Sequence, residues 1–130
     1  MDRSILLDLH RSAGARLSSG DSPSLLTYGD VPGEYRAALE SCAVFDESDR
    51  GLIEIGGIDS TNFLHRILAS DVKSLRPGTG QRSLLLSSKG KVLFDFDLFR
   101  REEGLWISAP PRSASDLAAA LENYHFAEKL

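Results

Sequence analysis

The sequence predicts an α+β fold, a mostly antiparallel sheet with helices packed on one face. Three observations carry the prediction. From residue 52 onward the patterns read strand, helix, strand, strand, strand, helix. Two apolar runs flank Lys89-Gly90 closely enough to form a β-hairpin. The segment after the first of these strands carries Phe63, Leu64, Ile67 and Leu68 at the spacing of one helical stripe.

The elements follow in order. Residues 3–16 suit a short amphipathic helix, and "SSGDSPS", 18–24, is a loop of helix breakers. "GEYRAALESC" is helical, with Pro32 just ahead of it, where a missing N–H costs nothing. "AVF", 43–45, reads as a short extended piece. "LIEI", 52–55, is a strand ended by Gly56 and Gly57. "DSTNFLHRILA" is a helix that Asp59 or Ser60 can cap. "RPGTG", 76–80, is a turn. "QRSLLLSS" and "KVLFDFDLF" are the hairpin strands, and "LWIS", 105–108, is a third strand after the turn-like "REEG". "PPRSASDLAAALENYHFAEKL" closes the chain as a helix. Ser113 and Asp116 there make a variant capping box, and Leu117, Leu121 and Tyr124 share a side. One more strand after Leu130 would bring the order close to a split βαβ pattern, so the domain is expected to be incomplete at its C-terminus.

Composition narrows the function classes. The 130 residues fit one domain with a real core. A net charge of −4, from 15 basic and 19 acidic residues, argues against a nucleic-acid or anionic-membrane partner. No apolar run approaches the roughly 18 residues of a membrane helix, and the N-terminus lacks a signal-peptide core. The single cysteine, Cys42, excludes an intrachain disulfide and suits a reducing compartment, hence a cytoplasmic protein. It continues the helical pattern of Tyr35, Ala38 and Leu39, so it is expected to be a small buried hydrophobe.

Most motifs dissolve under inspection. "PGTGQRS" and "SSKGK" do not fit a phosphate loop and read better as hairpin turns. His10, His65 and His125 lie too far apart for a local metal motif, so no metal site is expected. His65 sits off the apolar stripe and should be exposed or lightly packed. "KVLFDFDLF" is different. Alternation places Val92, Phe94, Phe96 and Leu98 on one face and Leu93, Asp95, Asp97 and Phe99 on the other. Two carboxylates sharing a face with large apolar groups could be a wet surface. They could equally be a wall where a carboxylate meets an amine or a flat ring. Periodicity alone leaves both readings open.

Longer motifs bear on the choice. "EYRAALESCAVFDESDRG", "FLHRILASDV" and "GQRSLLLSSKGKVLFDFDLF" occur in an order that resembles the N-terminal part of the aminomethyltransferase family, from about Tyr28 to Tyr124. That family comprises the glycine cleavage T-protein and its YgfZ-type folate-binding relatives. The resemblance implies an N-terminal helix and loop over 1–27, followed by part of a T-protein-like folate-binding domain over 28–130. It implies tetrahydrofolate as the cofactor and one-carbon transfer, aminomethyl or methyl, as the activity. Asp95 would be the catalytic and folate-facing residue, with Asp71 and Leu93 lining the ligand. A lipoyl carrier protein or iron–sulfur enzymes would be the partners. Departures are visible: Phe94 stands where T-proteins usually carry a first acid, and Ser70-Asp71 where many relatives have Asn-Asp. "SDRG", 48–51, looks closer to the YgfZ-type branch, which supports iron–sulfur proteins. A catalytically idle α+β module is the third alternative.

Overall fold

A computed structural model describes residues 3–20 and 23–130. The chain groups into two compact units, Met1–Asp49 and Arg50–Leu130.

In the first unit, α1 spans Arg3–Ser12, β1 Arg16–Leu17, β2 Leu25–Thr27 and α2 Val31–Glu40. The helix expected over 3–16 stops early, because Gly14 adopts a positive φ of 80° and closes the last turn. The short antiparallel pair β1–β2, which no sequence pattern announced, follows it. Asp30 caps α2 by accepting from the Gly33 amide at 3.1 Å, and Pro32 sits in the first turn as expected. No residue of α2 is buried. Cys42 is likewise exposed, which corrects the expectation of a buried thiol. The helix ends at Ser41 with φ −144°, so the helical phase does not reach Cys42, and the Tyr35–Leu39 stripe it would have joined is itself exposed. Residues 43–45 form no strand.

The second unit holds the predicted order: β3 Gly51–Ile55, α3 Ser60–Ile67, β4 Gly80–Leu86, β5 Val92–Arg100, β6 Leu105–Ala109 and α4 Ala114–Glu122. The four strands form one antiparallel sheet in the order β3-β6-β5-β4. The β4–β5 hairpin turns at Lys89-Gly90. Gly90 has φ +74°, which a side chain would strain. Ile55, Leu85, Phe96, Leu98, Leu105, Ile107 and Ala109 point inward and pack against Phe63 and Leu64 of α3 and Leu117 and Leu121 of α4. Alternation along the strands thus gives one apolar layer covered by helices and one face left open.

Local details differ from expectation for identifiable reasons. Asp59 stands at the N-cap of α3 without capping it. Its Oδ2 instead accepts from the Lys129 amide at 2.9 Å. Ser113 stands at the N-cap of α4, but its hydroxyl donates to the Pro110 carbonyl, so no capping box forms with Asp116. The last helix ends at Glu122 rather than running on, and Tyr124 is 37% exposed. Residues 125–130 fold back as a strap. Arg66 of α3 pairs with Glu128, and His125 packs edge-on against Phe63 with ring centroids 6.1 Å apart.

Candidate functional site

The open face of the sheet is a grid that the strand register fixes. Glu54, Trp106 and Phe99 share one row across β3, β6 and β5. Leu52, Ser108, Asp97 and Arg82 make the next, across all four strands. Asp95 and Leu84 follow, one step toward the hairpin. Beyond Asp95 the register shifts: Phe94 stands opposite Leu85 and Val92 opposite Leu86, so Leu93 is the extra residue of a bulge, and it is exposed. Phe99 lies down across Gly80, where a Cβ would stand 2.5 Å from its ring, so β4 needs a glycine at that point.

The charges on this face are paired. Arg82 grips Asp95 with both prongs, Nε to Oδ1 at 2.7 Å and Nη2 to Oδ2 at 2.5 Å. This bidentate geometry is the strong form of a guanidinium–carboxylate contact. The hydrogen bonds from Arg82 hold the Asp95 carboxyl below the ordinary aspartate value against a smaller opposing effect of burial, and Arg50 adds a further pull. The same contact raises Arg82. Arg50 reaches across from the start of β3. Its Nη2 donates to Asp97 Oδ2 and to the Ser108 carbonyl, and its Nε to the Ser108 hydroxyl, each at 2.7 Å. Two arginines and two aspartates therefore alternate along the face, and large apolar groups stand around them. Leu52 is 59% exposed, Leu93 51% and Phe99 42%. Arg101 places its guanidinium 4.2 Å from the centre of the Trp106 ring.

The predicted site residues separate into two places. Asp95 is on the open face, and Leu93 lies two residues along β5 from it at the bulge. Asp71 lies on the connection from α3 to β4, whose Ser70 meets Ser83 at 2.6 Å on the inward side of β4. Its Oδ1 accepts from the Ser74 amide at 3.3 Å and stands 3.4 Å from His65 Nδ1. His65 is partly exposed there, in line with the light packing read from the sequence. Asp95 faces the open sheet surface. Two cavities among the described residues of this unit have other linings. One of about 430 Å³ lies by Arg101, Glu102, Glu103 and Trp106, and one of about 200 Å³ by Ile53, Ile55, Phe63 and Leu121. Among the described residues, no three His, Cys, Asp or Glu side chains converge as a metal site, and no helix is long and apolar enough to cross a membrane.

Sequence reasoning missed both arginines. Arg82 was recoverable, because folding the hairpin at Lys89-Gly90 sets β4 beside the aspartates. Arg50 was not, since it reaches Asp97 from 47 residues away.

What the face can do follows from its charges. Asp95 is an acceptor whose oxygens are partly taken by a 73%-exposed arginine side chain. A ligand cation can share or displace that guanidinium, while apolar surface from Leu84, across β4, lies next to it.

No family model matches the chain. Curated relatives do. The chain is 38% identical over 102 residues to the aminomethyltransferase of Nitrosococcus oceani, covering 75% of this chain and 27% of that protein. It is 31% identical over 121 residues to the aminomethyltransferase of Desulfitobacterium hafniense, covering 91% and 33%. Among solved structures, the glycine cleavage system aminomethyltransferase T of Bartonella henselae superposes with a TM-score of 0.79 at 29% identity. That match covers 95% of this chain and 35% of the other. The chain thus spans about a third or less of the curated relatives and matches part of the T-protein fold.

Proposed function

Because this chain is similar in sequence and fold to part of the aminomethyltransferases, we propose that it forms one wall of a tetrahydrofolate-dependent, one-carbon-transferring protein of the cytoplasm. The observation that carries the proposal is the state of Asp95. It is a carboxylate kept ionised on an open sheet face, between exposed apolar groups, at the strand position to which the resemblance assigns the catalytic aspartate.

The residues present fit such a substrate on one side. Tetrahydrofolate supplies a nucleophilic ring nitrogen that takes up a one-carbon unit. Asp95 orients an N–H at that position and stabilises positive charge as it develops on nitrogen, because an ionised carboxylate nearby favours the charged form. Leu84, its partner across β4, and Leu93, two residues along β5, offer apolar surface near it. Arg82 holds the carboxylate in one direction until the substrate cation competes for it. Leu93 thus belongs to the substrate-facing set, and Asp71 would join it only through a ligand extending around the β4 edge. A lipoyl-carrying protein is the aminomethyl donor in this reading: its one-carbon unit passes to the folate nitrogen while the amine leaves as ammonia.

Titration of the chain with tetrahydrofolate, followed through Trp106 fluorescence, tests the proposal. Binding by the wild type is expected, with affinity lowered about tenfold or more in Asp95→Asn, the loss of about 1.4 kcal/mol typical of a charge-assisted contact. Equal affinity in wild type and variant removes Asp95 from the site. Absence of binding by both refutes the claim that this wall holds folate.

A further inference from the structure

The register sets Arg82 of β4 directly opposite Asp97 of β5, and Leu84 opposite Asp95. Directly opposed side chains are the nearest neighbours across an antiparallel pair, with Cβ atoms about 5 Å apart against about 7 Å on the diagonal. Register alone therefore pairs Arg82 with Asp97. Instead both of its prongs go to Asp95, on the diagonal.

The reason lies on the far side of β5. Asp97 Oδ2 is already taken by Arg50 Nη2. Arg50 is itself tied to Ser108 twice, through the hydroxyl and the carbonyl, and Ser108 is the neighbour of Asp97 on β6. Asp97 is thus held from the β6 side, away from β4. The two guanidiniums compete for it unequally. The Arg50 side chain is 22% exposed and that of Arg82 73%, and an ion pair partly screened from water is the stronger one.

Asp97 keeps room for a second cation. Among the described residues no hydrogen bond reaches its Oδ1. Arg82 lies within range of its charge: the hydrogen bonds to Asp95 raise Arg82 most, and the Asp97 carboxylate adds to the effect.

We infer that Arg50 is a positioning residue: by holding Asp97 toward β6 it assigns Arg82 to Asp95, and Asp97 Oδ1 is a second berth to which Arg82 crosses when Asp95 is given up to a cationic group. Arg82 is then paired in both states, so a cation that takes Asp95 leaves no guanidinium without a carboxylate. The exchange also sets the sign of what this face accepts. An incoming cation has a carboxylate released to it, while both guanidiniums stay engaged and none is offered to an anion. That a folate amine is the cation rests on the function proposed above; the two berths do not.

Arginine Nε–H resonances of the complete chain, with nuclear Overhauser contacts to aspartate Hβ protons, report which berth Arg82 occupies. In the parent, Arg82 Hε should contact Asp95. In Arg50→Gln the contact should move to Asp97, and in the double variant Arg50→Gln/Asp97→Asn it should return to Asp95. A contact that stays on Asp95 in all three overturns the role of Arg50, because a through-space effect of its charge would not move Arg82. Arg50→Met serves if the glutamine variant does not fold. Asp95→Asn, which leaves Arg50 in place, tests the second berth alone: Arg82 Hε should cross to Asp97, and absence of that contact overturns the crossing. Tetrahydrofolate added to the parent should likewise move the contact to Asp97, and binding that leaves it on Asp95 counts against the crossing. Absence of folate binding refutes the proposed ligand, while the ligand-free spectra still decide the berths.

Discussion

Replacing Phe96 by alanine tests the two-faced sheet most directly. Phe96 lies in β5, between β4 and β6, and is 2% exposed. Its register partner on β4 is Ser83, equally buried and too small to expand into vacated space. Truncating a buried phenylalanine costs about 3–5 kcal/mol, from lost transfer energy plus the cavity left behind. A unit of the length of Arg50–Leu130 is stable by about 4–12 kcal/mol. The substitution therefore removes a large share of the total. With a urea slope of about 1–2 kcal/mol/M, the midpoint should drop by about 2 M or more. Trp106 is the sole tryptophan and lies on β6, so its fluorescence reports this unit. Phe96→Leu, losing about 1 kcal/mol, keeps the comparison readable if the alanine variant does not fold. The adjacent Asp95→Ala should leave the midpoint nearly unchanged, because its partner Arg82 is a solvent-exposed side chain. A Phe96→Ala midpoint equal to the parent's, or an Asp95→Ala loss as large as that of Phe96→Ala, would refute the assignment of inward and outward faces.

Two further outcomes are expected. Cys42 should react with a disulfide reagent in the native chain about as fast as in urea, whereas protection of more than about tenfold would mean the thiol is covered. Stability should fall in acid through Glu128, which the Phe126 amide and then Arg66 hold at about 2, below its ordinary 4.5. A depressed carboxyl contributes fully above its unfolded value and loses the contribution as pH drops through the folded one. Between pH 4.5 and 2, thermal melts of the wild type should therefore fall further than those of Glu128→Gln; parallel declines would contradict the strap contact.

The sequence disclosed the second unit well and the first poorly, for one physical reason. Alternation and stripe patterns announce elements that bury one side, and β3 through α4 do so. The Tyr35–Leu39 stripe announced a buried side as well, yet α2 covers nothing, and Cys42 inherited the error. Caps failed differently. Asp59 and Ser113 occupy cap positions, but each has a better partner nearby, Lys129 for one and Pro110 for the other. Sequence spacing cannot rank such competitors. At the candidate site, the shared face of Asp95 and Asp97 was visible because a strand's period is two, whereas the bulge at Leu93 breaks that period. That Asp71 lies elsewhere follows from the path of the chain between α3 and β4, which no periodicity encodes.

The pleat of β5 has an evolutionary corollary. Consecutive letters of "FDFDLF" answer to separate demands, the even-numbered ones to the buried layer and the odd-numbered ones to the open face. A lineage can rewrite residue 95, trading one side chain for another on the open face, with little change to the buried layer beneath. One framework can in this way carry divergent reactivities at little structural risk.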